Sequence, residues 1–437
     1  MRQRIALFLG FVALTSVGGI ATYSITRGQL PAPTPPQESV KPAVYKPAPG
    51  TPTAGVVKAS AAAPRDLSTM SEQSRKLYLS ARSGAEWLLR AENAVSGRFL
   101  PGWLPALNIV LEHDDYLHQA GATYALAKAA RYFGDERYLM KARQAILSLL
   151  AETTVDPAEP GCRYTSLPPI SVNRLAAAGM LLLVIHELQS PDEELLKQGE
   201  ELCQYIRKQQ QSDGTFRLSD SGIDVVAESE AARTYPAMAI YGLMVSQRNR
   251  PAPWKLEAAA RAFKPYRDQW KLRPSLSGAA WLTLAFSECY LQTKNEACAQ
   301  FVFEMSDWVC ALQYGPDARS QKWTGGFMSH AGGKPVSTAP SVESAVNLEA
   351  LALACLVTRH VPDAQRFSKY REAVNSGAHF LTSLQFNGDN TTHFSPAYRT
   401  ALLGGYHATH ADGNLRIDYN HHAVVAVIQY ATAAGLP

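Results

Sequence analysis

Beyond Ser68, apolar residues recur at helical spacing along almost the whole chain, and no convincing run alternates strictly as a strand would. The pattern divides into helical segments that come in pairs. The first members of the pairs cover roughly residues 71–93, 136–153, 192–211, 253–269, 295–313 and 363–385. The second members cover roughly residues 115–133, 171–189, 228–247, 275–292, 341–358 and 416–433. Such regular spacing indicates a repeat architecture, here one of six helical hairpins.

Several of the first helices end in a common motif. Residues 205–216, "YIRKQQQSDGTF", show it in full, with an aromatic and an aliphatic residue, then Gln210, then Gly214 and Phe216. Looser copies are "WLLRAENAVSGRF" (87–99, with Glu92 in place of Gln), "WVCALQ" (308–313) leading to "GGF" (325–327), and "FLTSLQFNG" (380–388). Glutamine can satisfy carbonyl groups at a helix end, and glycine lets the chain turn there. The motif therefore predicts how a first helix ends.

This repeat resembles that of the α/α-toroid proteins, in which six hairpins close into a double ring. The motif at 205–216 is similar to the QW repeat of the terpenoid cyclases. "QYGPDARSQKWTGGF" (313–327) resembles the Gln-to-Gly-Gly-aromatic turns of toroidal polysaccharide lyases and unsaturated-uronide hydrolases. The resemblance covers about residues 71–433 and implies an all-α (α/α)6 toroid, a fold that unlike chemistries share. "HDDYLH" (113–118) matches neither aspartate-rich motif of the cyclases, DxDD or DDxxD, so only their fold carries over.

Residues 1–30 have the pattern of an export signal or a membrane anchor. Arg2 and Arg4 precede an uncharged, mostly apolar stretch from Ile5 to Ile25, which is long enough to span a bilayer as a helix. We expect an uncleaved anchor, with cleavage by a signal peptidase near the small residues at 19–21 as the alternative. The two arginines favour the cytoplasmic side, so the rest of the chain would lie in the periplasm or the extracellular space.

Residues 31–66 are rich in Pro, Ala and Thr and have almost no large apolar side chains, which predicts a disordered linker before a toroid domain at 67–437. The chain has a net charge of +4, but residues 1–64 hold six basic residues and one acidic residue. About −1 is therefore left for the remainder. A folded part with no basic excess argues against nucleic acid as a partner.

In the toroids that the chain resembles, the second helices form the inner ring, and their N-terminal ends border a central cavity. The corresponding positions of this chain are rich in groups that could transfer protons or bind a sugar. The candidate catalytic residues are Asp115, Glu230, Arg233, Tyr235, Glu343, Asp418 and His421. The candidate substrate-binding residues are His118, Arg174, Trp323, Asn347, His407 and His422.

Helix capping is the alternative role for any single carboxylate among them, because Asp and Glu are favoured in the first helical turn. Cations are disfavoured there. The residues that capping explains badly, and that favour a pocket, are Arg174, Arg233, His421 and His422. Asp418 and His422 are four residues apart on one helical face, as are Asp114 and His118. Each pair is either a general base with its orienting partner or a structural couple.

Two kinds of chemistry fit the candidates. Carboxylates on different inner helices would suit glycoside hydrolysis, in which their separation sets the stereochemical outcome. Arginine, histidine and tyrosine would suit a lyase or an epimerase, with the cation neutralising a uronate carboxylate while tyrosine or histidine moves a proton. Trp323 could stack on a sugar, and His407 lies in a loop (400–414) that would lie over the cavity.

We therefore expect an exported carbohydrate-active toroid, a hydrolase, lyase or epimerase, that acts on a polysaccharide or oligosaccharide. The alternative is a membrane-anchored module that binds a glycan or a protein without catalysis during envelope or polymer assembly. Catalysis requires groups that converge on one bound atom, whereas a binder does not. The six cysteines form no CxxC pair, and we expect no metal and no cofactor. Cys289 and Cys298 flank a short turn and are the pair best placed for a disulfide.

Overall fold

The helical periodicity corresponds to two concentric rings of α-helices in the computed structural model, which describes residues 66–218 and 229–434. The outer helices are α1 (Glu72–Ala91), α3 (Glu136–Ala151), α5 (Glu193–Gln209), α7 (Pro253–Leu272), α9 (Glu296–Ala311) and α11 (Ala364–Ser383). The inner helices are α2 (Tyr116–Phe133), α4 (Arg174–Glu187), α6 (Glu230–Asn249), α8 (Leu276–Thr293), α10 (Ser344–His360) and α13 (Ile417–Ala434). A short helix, α12 (Pro396–Leu402), precedes the last inner helix.

The inner helices form a closed ring, because each packs against its neighbours in the order α2, α4, α6, α8, α10, α13, and α13 packs against α2. Each inner helix packs most extensively against the outer helix that follows it, and α13 packs against α1, the first outer helix. The six predicted pairs are confirmed. The best-packed pairs, however, run from an inner helix to the next outer one. The inner-to-outer connections are short, as at Gly134-Asp135, whereas five of the six outer-to-inner connections are long and the sixth, from α7 to α8, is short.

The two rings differ in burial as their sequences require. In the inner helix α4 every residue after Arg174 is buried, because outer helices cover one side and the other inner helices cover the rest. The outer helix α5 buries only one stripe of its surface, the pattern of an amphipathic helix. Inner helices α4 and α6 touch through glycine, since a Cβ added at Gly242 would lie 2.3 Å from the carbonyl oxygen of Gly179.

In the three copies of the motif that have it, the glutamine is hydrogen-bonded both to its own turn and to the next outer helix. The side-chain amide of Gln210 donates to the carbonyl oxygen of Gly214 (3.2 Å) and to that of Ala258 in α7 (2.8 Å). Gln313 makes the same two kinds of bond, to Gly325 and to Ala373 of α11. Gln385 likewise donates to Gly404 and to Ser80 of α1. The motif recurs because it joins consecutive outer helices of the ring.

The glycine of the motif is required by its backbone and its surroundings. Gly214 has φ +89°, and a Cβ there would lie 2.2 Å from the carbonyl oxygen of Arg261 in α7. Gly325 and Gly404 have the same backbone conformation and the same close approach to the next outer helix. An L side chain would be strained at each of these positions.

Short strands, which the sequence pattern did not predict, occupy the long outer-to-inner connections. They are β1 (Gly102–Leu104), β2 (Ile109–Val110), β3 (Thr153–Val155), β4 (Arg163–Thr165), β5 (Ser329–Ala331), β6 (Lys334–Val336), β7 (His407–Thr409) and β8 (Asp412–Arg416). Two to five residues are too few to show a clear alternation. β1 pairs antiparallel with β2 and with β8, so Gly102 lies opposite Arg416 at the start of α13. This sheet holds the first and last connections together beside the inner ring.

The predicted membrane anchor and all but the last residue of the predicted linker fall outside the described residues. Within the described ranges, no helix combines the length and the apolar composition needed to cross a membrane.

Candidate functional site

We call the end of the inner ring at which its six helices begin the mouth. At the mouth, the structure shows whether the carboxylates of Asp115 and Glu343 cap their helices. Asp115 is the N-cap of α2, and its carboxylate accepts from the backbone N–H groups of Leu117 (2.8 Å) and His118 (3.1 Å). Glu343 occupies the N-cap position of α10, but its carboxylate makes no capping bond. Capping therefore explains Asp115 and leaves Glu343 available for another role.

Glu343 lies beside an ion pair. The guanidinium of Arg416 donates two bonds to Asp418, Nε to Oδ1 at 2.8 Å and Nη2 to Oδ2 at 2.7 Å. Desolvation raises the pKa of Glu343, the charge of Asp418 raises it further, and Arg416 partly offsets both effects. His118 completes the group, with Nε2 at 3.9 Å from Oδ2 of Asp418. We call these four residues the mouth cluster.

Glu343 is open to solvent, yet desolvation is the largest cause of its raised pKa. On a flat surface the two observations would conflict. They agree for a side chain inside a concave site, where protein surrounds the group and a small molecule can still reach it. Glu343 is then a carboxyl group that keeps its proton to a higher pH than an ordinary glutamate.

Deeper in the ring, His422 of α13 is held by Glu349 of the neighbouring α10. Nδ1 of His422 lies 3.2 Å from Oε2 of Glu349, whose side chain is only 4% exposed. The imidazole of His422 is 22% exposed and lies edge-on to Trp281 of α8, with 5.9 Å between ring centroids. Because the carboxylate engages Nδ1, Nε2 is the nitrogen that can exchange a proton with a bound molecule.

His421 has different surroundings from its neighbour. Its side chain is buried, and a Cβ added at Gly121 of α2 would lie 2.4 Å from its Nε2. Desolvation lowers the pKa of His421 well below its ordinary value, with smaller effects from His422 and His118. The structure thus places this predicted catalytic residue, in its neutral form, between α13 and α2.

Residues of α2 and α6 meet although α4 lies between these helices in the ring. The charge of Asp115 raises the pKa of Tyr235, after the larger effect of desolvation. Further along the same helices the hydroxyl groups of Tyr124 and Tyr241 lie 3.5 Å apart, both buried. Side chains of two inner helices that are not neighbours in the ring meet in the interior of the ring. Tyr124 and Tyr241 therefore narrow the interior below the mouth.

Glu230 and Arg233 form a separate group at the start of α6. Nη1 of Arg233 lies 3.1 Å from Oε2 of Glu230, and the hydroxyl group of Ser275 donates to Oε1 at 2.9 Å. Ser277 also donates to Oε1. The carboxylate of Glu230 thus joins the beginnings of α6 and α8.

Comparison with solved structures finds this double ring in several carbohydrate-active enzymes. An unsaturated glucuronyl hydrolase specific for heparin superposes with a TM-score of 0.57 at 14% identity, over 83% of this chain and 98% of that one. Cellobiose 2-epimerase from Bacillus thermoamylovorans B4167 gives 0.60 at 10% identity, over 81% and 98%. The α-1,6-mannanase of Salegentibacter sp. HEL1_6 gives 0.57 at 10% identity, over 82% and 99%. The fold is the (α/α)6 toroid.

The predicted fold class and the resemblance to toroidal proteins are therefore confirmed. No protein-family model matches the chain, and no curated protein matches it in sequence. At identities of 10–14% the solved structures establish the fold alone.

The remaining predicted site residues have other surroundings. The guanidinium of Arg174 lies over the ring of Tyr164, 4.3 Å from its centroid. Trp323 packs against Tyr314 at a centroid distance of 5.3 Å. His407 is buried in β7, where Nδ1 lies 2.8 Å from a backbone carbonyl oxygen and desolvation lowers its pKa.

Asn347 is buried on α10, and its Oδ1 has no hydrogen-bond partner among the described residues. The position therefore leaves one buried acceptor of the toroid unsatisfied. A polar group of a bound molecule or an ordered water could satisfy it.

Arg416, Glu349 and Trp281 are not among the candidate site residues, but the structure brings them together with the predicted ones. Glu349 had a recognisable signal, since it is the single carboxylate in the apolar run "VNLEALALAC" (346–355). A charge buried in an apolar helix is costly unless it is paired, so the sequence indicates that Glu349 has a polar partner in the ring. Arg416 precedes the helix, and only the pairing of β8 with β1 fixes its position.

The closest group of possible metal ligands in the described ranges is Asp156, Glu159 and Cys162, in the connection that forms β3 and β4. The ammonium group of Lys208 already lies 2.8 Å from Asp156 and 2.9 Å from Glu159. A lysine thus supplies the positive charge that a metal ion would bring.

Proposed function

We propose that this protein is an exported glycoside hydrolase that cleaves an oligosaccharide or polysaccharide bound at the mouth of the toroid. The observation that carries the proposal is the contrast between two neighbouring carboxyl groups. Glu343 has a raised pKa, whereas Asp418 is held by two bonds from Arg416. A carboxyl group with a raised pKa beside a carboxylate that an arginine holds is the arrangement expected of a general acid and a charge-stabilising partner.

In this proposal Glu343 is the general acid. Its carboxyl proton passes to the glycosidic oxygen as the bond between that oxygen and the anomeric carbon breaks. The negative charge of Asp418 stabilises the positive charge that develops on the sugar. Both oxygens of Asp418 are engaged by Arg416, which suits a fixed stabilising charge better than a nucleophile.

His422 supplies the base. A water molecule adds its oxygen to the anomeric carbon and gives a proton to Nε2 of His422, while Glu349 holds Nδ1. His422 follows Asp418 by four residues on α13, so it lies about 6 Å deeper along the helix. Hydrolysis consumes one water molecule, whose oxygen and one hydrogen form the hydroxyl group of the new reducing end, while the released hydroxyl group keeps the proton from Glu343. The cycle closes when His422 releases its proton to the solvent and Glu343 takes one up.

The names of the solved relatives support a sugar as the ligand. They include the glucuronyl hydrolase, the cellobiose epimerase and a D-mannose isomerase, and an inactive variant of the mannanase is described in complex with α-1,6-mannotriose. The sequence of residues 1–30 supports export and anchoring in a membrane.

A panel of neutral, basic and acidic polysaccharides incubated with the full-length protein tests the proposal. Reducing ends and ultraviolet absorbance would be followed together, for the wild type, for Glu343→Gln and for the matched surface variant Glu257→Gln, which changes an exposed residue of α7. We expect reducing ends without new absorbance, lost in Glu343→Gln and retained in Glu257→Gln. New absorbance from an unsaturated product would indicate a lyase instead. Sugar binding without turnover would indicate a non-catalytic module.

A further inference from the structure

The mouth of the toroid has more carboxylates than free positive charges. Among the described residues, the carboxylates at the mouth and on the first turns below it are Asp115, Glu230, Glu343, Glu349 and Asp418. The basic groups in the same part of the ring are His118, Arg174, Arg233, Arg416, His421 and His422. An acidic sugar would need one of these basic groups to pair with its negative charge.

The two arginines nearest the carboxylates are engaged by them. Arg416 donates both its Nε and its Nη2 to Asp418 at 2.8 and 2.7 Å, which is the bidentate geometry that arginine would otherwise present to a uronate. Arg233 is paired with Glu230 at 3.1 Å. A uronate would have to compete with a protein carboxylate for either guanidinium.

The other basic groups are also committed. Arg174 stacks on Tyr164 and acts electrostatically on Asp156 in the β3–β4 connection. His118 faces Asp418, and His422 is bonded to Glu349. His421 is buried and held neutral by desolvation.

An acidic sugar bound among these residues would therefore meet carboxylates and find each of the six basic groups already engaged or buried. A uronate or sulfate bound beside Asp418 and Glu349 would lose part of its hydration and would be repelled by the two carboxylates. A site of this kind selects its ligand by excluding anions. A neutral sugar avoids both costs, and a sugar with a protonated amine gains attraction from the same carboxylates.

We propose that the sugar bound at the mouth bears no negative charge, and that the Asp418–Arg416 pair sets this specificity. The inference rests on the proposed function and narrows it to neutral or basic glycans. Asp418 acts here as a specificity-determining residue in addition to its part in catalysis. Its carboxylate already accepts two bonds from Arg416, which an acidic ligand would otherwise compete to bind.

The test measures binding, with Glu343→Gln as the background so that no substrate is turned over. Three trisaccharides serve as probes: a mannotriose, a glucosamine trimer and a trigalacturonate, titrated by calorimetry at low and moderate salt. We expect at least one of the first two to bind tenfold or more tighter than the trigalacturonate. Tighter binding of the trigalacturonate than of both other probes, or binding within threefold of the better one, would overturn the inference.

Adding Asp418→Asn to this background tests the specificity residue. Releasing Arg416 should improve trigalacturonate binding by tenfold or more relative to the neutral probe. Asp268→Asn is the matched control, because it removes the same charge and frees Lys264 on the exposed surface of α7. An equal response of the two variants would overturn the role of Asp418. If none of the probes, nor any glycan of the panel above, binds, the proposed function fails, and this inference fails with it.

The comparison of the three probes stands without Asp418→Asn, so it remains decisive if that variant does not fold. The salt series adds an independent check on the cause. If repulsion excludes the acidic probe, raising the salt concentration should narrow the difference between trigalacturonate and mannotriose. A difference that does not change with salt would contradict an electrostatic origin.

Discussion

The imidazole of His422 and the carboxylate of Glu349 are joined between neighbouring inner helices, with Nδ1 and Oε2 3.2 Å apart. The carboxylate is buried and the imidazole is partly open, so the bond fixes the orientation of an accessible ring from below. The same carboxylate acts electrostatically on Tyr124, Lys128 and Tyr241 in the interior of the ring. Glu349 thus connects the mouth of the toroid to its interior.

Glu349→Gln is expected to lower kcat by about a hundredfold and to change KM little, because it disturbs the base and not the sugar contacts. Steady-state kinetics on the substrate found in the panel would measure both constants. Glu296→Gln on the outer helix α9 is the control, because it makes the same substitution at an exposed position away from the mouth. A rise in KM with kcat unchanged would contradict the assigned role.

Glu343→Gln is expected to be inactive and also more stable than the wild type at neutral pH. Folding raises the pKa of Glu343, so the folded state binds its proton more tightly, and stability is lost as the pH rises through the folded pKa. A glutamine at this position does not ionise, so the variant does not lose this stability as the pH rises. Thermal unfolding of both proteins from pH 4 to pH 8 should show a higher Tm for the variant at pH 7–8 and convergence near pH 4. A lower Tm for the variant at pH 8 would contradict the raised pKa.

His186 predicts a loss of stability in acid. It is buried, neither ring nitrogen has a hydrogen-bond partner among the described residues, and desolvation lowers its pKa to about 4. Since the folded pKa is depressed, stability is complete above the unfolded pKa near 6.5 and falls as the pH drops towards 4. Relative to His186→Leu, the wild type should lose about 3 kcal/mol over that interval. Denaturant unfolding at pH 7 and pH 4 measures this, and equal losses in the two proteins would refute it.

Gly242→Ala tests the contact that closes α4 against α6. The added Cβ would lie 2.3 Å from the carbonyl oxygen of Gly179, a backbone atom that cannot move alone. We expect a destabilisation of about 1–3 kcal/mol. The control is Gly199→Ala on α5, whose Cβ would meet side-chain atoms only at 3.6 Å and beyond, and which should gain about 0.5–1 kcal/mol from helix propensity. Equal effects of the two substitutions would show that the helices are not in backbone contact.

The helices were predictable because packing in two rings leaves a strong periodic signal. The predicted segment 115–133 corresponds to Tyr116–Phe133, and 275–292 corresponds to Leu276–Thr293. The motif at Gln210 was also informative, since its hydrogen bonds explain both the glutamine and the glycine. The short strands were missed, because their pairing joins segments far apart in sequence, such as Gly102 and Arg416.

The site was only partly predictable. Composition at the helix starts selected Glu343, Asp418 and His422, which the structure places in or next to one cluster. It also selected His421, which differs from His422 only in the side of the helix that it occupies. A shift of one residue turns a side chain by about 100° around a helix, and sequence without the ring geometry does not decide which of the two is buried.

Hydrolysis adds an oxygen atom from water to the product, so the origin of that oxygen distinguishes hydrolysis from the other reactions. The full-length protein would be incubated in ¹⁸O-labelled water with a neutral oligosaccharide that it cleaves, and the products would be weighed by mass spectrometry. If the protein is a hydrolase, each cleavage places one ¹⁸O atom at the new reducing end, and Glu343→Gln yields no product. Cleavage without label, or an isomerised sugar of unchanged mass, would contradict it.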